Sequence, residues 1–162
     1  MVIKLTEEEK NVVRAEAQRR QSECEQLNLK GRNGGEAVGD LALQHHKYGA
    51  AGEMAVASYL GLKDQLFQDK FGLYDLPGKI DVKTRSKHWY DLIVQMDDKP
   101  GKNYWLVTIE NKEIRLHGWL PWVECAKPEY AKTPNSRGKA YFVPKDRLYP
   151  PESWKEQLQV VL

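Results

Sequence analysis

Cysteine is nearly absent from this 162-residue chain. The two present, Cys24 and Cys125, are far apart and belong to no Cys-x-x-Cys or Cys-x-x-His spacing. That excludes a thiolate zinc site and a disulfide framework, and leaves two free thiols in a reducing compartment as the plain expectation. No apolar run of membrane-spanning length occurs, and no apolar stretch of a secretory signal follows Met1, so the expectation is an intracellular, cytoplasmic chain without a membrane partner. Charge of one sign is lacking too. Lys and Arg number 25 against 23 Asp and Glu, a net +2. This permits nucleic-acid binding without demanding it, and the local layout of charge matters more than the total. Internal repeats and long low-complexity tracts are missing. Gly31, Gly34, Gly35 and Gly39 make a flexible connection but no phosphate loop, because no Gly-Lys-Ser/Thr follows and no strand precedes them. What is present is globular: 41% hydrophobic residues and five tryptophans, enough in this length for one real core.

Taken in order, residues 6–27 predict a helix opened by a Thr6-x-x-Glu9 capping box. Its apolar stripe is ragged, as expected of an accessory helix resting on the core, and a homodimer or a DNA-facing arm through it stays open. Residues 37–60 predict one long helix, or two broken near Gly49. The adjacent His45 and His46 face different directions on it and are no ligand pair of the i, i+4 kind. Short strands are expected over 65–76, a strand over 79–85, another over 89–96, and a central one over 104–110, nearly all aromatic or β-branched. Residues 113–119 alternate in an edge-like pattern. Pro121 can open a short helix through Ala126, residues 127–139 read as a cationic loop, 141–143 as a last strand, and 152–162 as a closing helix.

Two stretches carry chemistry. In Tyr74–Arg85, Asp75 precedes a Pro77-Gly78 turn, after which Lys79, Ile80, Asp81, Val82 and Lys83 alternate. With a period of two, Ile80 and Val82 enter a core while Asp81 and Lys83 share the other face. The turn folds Asp75 back toward Asp81. Upstream, Lys47–Gly61 carries Glu53 on a helix whose Gly49 and Gly52 allow close packing on a sheet, at about 1 kcal/mol of helix propensity each. Asp69 and Asp91 compete with Asp75 for its role. Asp69 lacks the turn, and Asp91 comes after Asp81 in the chain.

An acid on a helix, a turn-linked aspartate and an Asp-x-Lys strand together resemble the PD-(D/E)xK nuclease superfamily, on Glu53, Asp75, Asp81 and Lys83, over roughly residues 48–149. Tyr74 stands where the family has proline, and the interval from Asp75 to Asp81 is short for its hairpin. The resemblance implies an α/β (α+β) fold: a restriction-endonuclease-like core with a central mixed sheet flanked by helices over residues 35–162, and an extra N-terminal helical extension over 1–34. It implies a deoxyribonuclease in which Asp75, Asp81 and Glu53 hold Mg²⁺ or Mn²⁺. Lys83 would orient or help deprotonate the attacking water. Hard oxygen ligands suit such ions. Without a cation, clustered carboxylates repel by about 4 kcal/mol per pair at a separation of about 4 Å and an effective dielectric of about 20. Tyr74, Trp89 and Tyr90, with Lys70, Arg85, Lys87, Lys132 and Arg137, are the expected DNA contacts. A catalytically inactive nucleic-acid-binding or protein-interaction module on the same scaffold is the alternative.

Overall fold

The computed structural model describes residues 1–27, 40–68, 74–133 and 139–156. The chain is a mixed α+β protein with two sheets. Strands β1 (Val2–Ile3), β2 (Ile80–Arg85), β4 (Asn103–Glu110) and β5 (Glu113–Pro121) form a mixed sheet in the order β1-β5-β4-β2. Only the β2–β4 pair is parallel, with Asp81 beside Tyr104 and Lys83 beside Leu106. Strands β3 (Leu92–Gln95), β6 (Ala131–Lys132) and β7 (Ala140–Val143) make a second, antiparallel sheet in the order β3-β7-β6.

Helices α1 (Glu7–Gln26) and α2 (Asp40–Leu60) cover one face of the mixed sheet. The second sheet and the short α3 (Trp122–Cys125) cover the other. Period-two alternation in β4 builds both layers. Trp105, Val107 and Ile109 join the helix-side core, while Tyr104 and Leu106 join the cluster between the sheets. Strand β5 keeps step through a bulge: Leu106 pairs with Gly118 but Val107 with Leu116, so His117 is an extra residue. The bulge changes parity. Ile114 and Leu116 face the helices before it, and Trp119 still does after it. Gly118, at φ +142, lets Tyr149 come up beside it, where a Cβ would overlap the Tyr149 carbonyl oxygen. Trp105, Trp119 and Trp154 then pack edge to face at centroid separations of 5.8 and 4.9 Å.

Several elements match the sequence reading, among them α1 with its Thr6–Glu9 capping box and β4 inside its sheet. Helix α2 runs unbroken through Gly49. Three expectations change. The edge pattern of residues 113–119 is covered at Ile114 and Arg115, where Ile3 and Val2 pair with them as a two-residue strand too short to signal itself. The strand expected over 89–96 begins only at Leu92, leaving Trp89 outside it and 69% exposed. The described part of 65–76 contains no strand beyond a single Leu76–Ile80 bridge, since the tight 77–79 turn, with Gly78 and Lys79 at positive φ, allows no longer ladder. The closing helix is seen over 153–156, and its remainder lies outside the described residues. So do the glycine-rich 28–39 segment and part of the cationic 127–139 loop. Residues 86–102, which join the parallel β2 and β4, contain β3 and no helix.

Candidate functional site at the free edge of β2

Strand β2 lies at one end of the mixed sheet, and among the described residues its side away from β4 meets no strand beyond the Leu76–Ile80 bridge. The 75–80 turn folds along that side. The Asp75 amide donates to the Ile80 carbonyl at 2.9 Å, and the Val82 amide donates to Asp75 Oδ2 at 2.7 Å. Asp75 is therefore fixed against the strand edge by an amide that β2 leaves unpaired.

Glu53 arrives from the helix side. Thr84 of β2 lies against α2 at Gly52, where a Cβ would overlap Thr84 Oγ1, so only glycine permits this approach. Glu53 is consequently buried at 8% exposure. Its Oε2 accepts from Arg20 Nη2 at 2.7 Å, and Arg20 Nε donates to Glu16 at 3.0 Å. Burial raises the Glu53 pKa to about 7, helped by the charge of Asp75 and opposed by Arg20. Burial likewise lifts Asp75 to about 6, with Asp81 adding repulsion and the Val82 amide and Lys83 opposing.

Asp81 stands on the opposite face, among cations. Lys102 Nζ donates to Asp81 Oδ2 at 2.8 Å, and Lys83 Nζ lies 3.0 Å from Asp81 Oδ1. Both ammonium groups also reach Asp98, at 3.0 Å from Lys102 and 3.7 Å from Lys83. The Tyr104 hydroxyl donates to Asp98 Oδ2 at 3.0 Å. Burial works against the ionised form of Asp98, but the bond from Lys102, the charge of Lys83 and the Tyr104 hydroxyl hold its carboxyl below the usual range. Burial and the Asp98 charge push the Tyr104 hydroxyl well up.

The four residues expected to act together are coupled in pairs as a row around the β2 edge, Glu53–Asp75–Asp81–Lys83, with Arg20 bound at the Glu53 end, and not as one cluster. Among the described residues no three His, Cys, Asp or Glu side chains are grouped to hold one metal ion. Asp91 is elsewhere, accepting from the Lys145 amide at 3.0 Å. Asp69 lies outside the described residues, as do Lys70 and Arg137. Of the other expected contacts, the Arg85 guanidinium lies 4.1 Å from the centre of the Tyr90 ring, and Trp89 packs edge-on to Tyr90 at 4.4 Å. Lys87 pairs with Glu110 at 3.3 Å, and the Lys132 ammonium lies 5.7 Å from the centre of the Phe142 ring.

Sequence reasoning missed Arg20, Asp98, Lys102 and Tyr104. Asp98 and Lys102 are spaced i, i+4 around Pro100-Gly101, a visible signal. Their relation to Asp81 becomes readable only with the parallel register that sets Asp81 beside Tyr104. The described residues contain no helix long and apolar enough to cross a membrane. Comparison with protein-family models, curated proteins and solved structures finds no match to this chain, so the functional reading rests on geometry and residue chemistry.

Proposed function

We propose that the protein is a metal-dependent nuclease acting on DNA, with its reactive centre at the free edge of β2. The observation that supports the reading is a run of pairwise coupling along the β2 edge, from buried Glu53 to buried Asp75, both with raised pKa values, and on to Asp81 with its Lys83 partner. Carboxylates that are costly to ionise in isolation are what a bound cation relieves, and their hard oxygens suit Mg²⁺ or Mn²⁺. Asp75 and Asp81 would hold the ion, with Glu53, coupled to Asp75, reaching it through water. When bound, it would acidify a water molecule and neutralise a scissile phosphate. Lys83 and Lys102 add positive charge where the pentavalent phosphate develops negative charge. Arg20 fixes the Glu53 carboxylate. Tyr90, backed by Arg85, and the exposed Trp89 offer ring faces for bases. The finer fold identity, a restriction-endonuclease-like core, belongs to this proposal. The parallel β2–β4 pair and the helix-borne Glu53 support it, though a loop with β3 stands where that core has a crossover helix.

One observation favours a second reading, a catalytically silent nucleic-acid-binding module: both Asp81 oxygens are engaged by lysine ammonium groups. Incubating the protein with plasmid, single-stranded and branched DNA in Mg²⁺ or Mn²⁺ separates the two. The nuclease reading expects cleavage that Lys83→Ala and Asp81→Asn abolish. Equal cleavage by parent and variants would end it, and DNA binding without cleavage, indifferent to Asp81→Asn, would establish the second.

A further inference from the structure

Away from the β2 edge, a cavity of about 550 Å³ opens between β1, α1, α2 and the β4–β5 turn. Its size falls within the roughly 300–1,000 Å³ typical of ligand sites. The floor is apolar, formed by Ile3, Leu5, Val13, Tyr48, Ile109 and Ile114. The rim is cationic: Lys4, Lys10, Arg14, Lys47 and Lys112 line it and all five are exposed. Glu113 is the one acid of the lining, and it is engaged by Arg115 at 2.6 Å and His88 at 3.2 Å. Lys4, Lys47 and Lys112 have no ion pair among the described residues.

We propose that this cavity docks an acidic peptide segment of a partner protein, seating one large apolar side chain on the floor and placing flanking carboxylates against the rim. The layout of charge selects this occupant. The five cations come from four separate segments of the chain and surround the opening. Lys10 already holds Glu7 at 3.0 Å, but a single-headed amphiphile would still meet at most one or two of Lys4, Lys47 and Lys112 and leave the rest without a counter-charge. A peptide with several acids around one apolar anchor meets the three unpaired lysines together. Apolar burial supplies affinity, and the rim supplies orientation and a fast, salt-dependent encounter.

Fluorescence anisotropy with a fluorescein-labelled synthetic peptide, Gly-Asp-Glu-Asp-Leu-Phe, tests the proposal on the full chain. Saturable binding is expected, weakened by salt and lost when the peptide's Phe is replaced by Ser or its acids by their amides. The paired exposed changes Lys47→Glu and Lys112→Glu leave the core untouched and should weaken binding about tenfold or more. Ala51→Trp, which fills the cavity, should abolish it. Asp81→Asn should change nothing, so the result is independent of the nuclease reading. Absence of peptide binding, equal binding of the amidated peptide, indifference to the two charge reversals, or binding of decanoate in place of the peptide would each overturn the proposal.

Discussion

Replacing Asp75 by Asn should make the metal-free protein more stable at pH 8 and almost unchanged at pH 4. The Asp75 carboxyl has a pKa of about 6 in the fold against 3.8 for the free side chain, because burial and Asp81 disfavour its charge. An acid whose folded pKa is raised binds more protons folded than unfolded between those two values. Stability therefore falls as pH rises through that window and stays low above it. The interval corresponds to at most about 3 kcal/mol, fully expressed above pH ~7, roughly halved at pH ~5 and nearly gone at pH ~4. Asn keeps an oxygen for the Val82 amide and carries no charge, so the variant escapes the pH-dependent loss. His117, lowered to about 4 chiefly by burial, titrates in the same range, but the difference between the two proteins cancels it to first order. Urea unfolding in a chelator, followed by fluorescence of the buried Trp105, Trp119 and Trp154, is the assay. With a slope of about 2 kcal/mol per molar urea, the midpoint gap should widen by more than about 1 M between pH 4 and 8. Added Mg²⁺ should narrow the gap at pH 8 by favouring ionised Asp75 in the parent alone. Parallel stability curves from pH 4 to 8, or a gap that shrinks as pH rises, would refute the placement of Asp75 in a crowded, buried row of acids.

Three further outcomes follow from the same geometry. Arg20→Ala should cost about 2 kcal/mol, since it removes hydrogen bonds to two carboxylates. It should also raise the Glu53 pKa further above about 7, moving any pH–rate profile to higher pH. Gly52→Ala should destabilise by about 1–3 kcal/mol through overlap with Thr84. Adding Thr84→Ala should recover most of that in a double-mutant cycle, because Thr84 Oγ1 is buried without a hydrogen-bond partner. Asp91→Ala should leave DNA cleavage intact where Asp75→Ala removes it; loss of activity in both would mean the site was placed at the wrong aspartate.

The local pieces of the candidate site were legible because they obey short-range rules. The alternation of Ile80, Asp81, Val82 and Lys83 is a two-residue period, and the Pro77-Gly78 turn returns Asp75 to its own strand. The small residues beside Glu53 announce a close helix–sheet approach, which Gly52 makes at Thr84. The β5 edge pattern misled for a related reason. Alternating charge on a strand reads as exposure, yet a two-residue partner covered it without leaving a periodic signal of its own.

What could not be read is the chemistry that arrives from a distance. Lys102 closes on Asp81 only because a parallel pair sets the start of β4 beside β2, and parallel register is specified by the intervening 86–102 chain rather than by either strand. Arg20 is the sharper case. It interrupts the apolar stripe of α1, which makes that helix look like a loosely attached appendage. In the fold the same residue turns inward, takes Glu16 and Glu53 together, and ties the stripe's irregularity to the most perturbed acid of the row. A charged residue that spoils amphipathicity is thus a reason to ask which buried acid it answers, and here the answer makes α1 part of the candidate site.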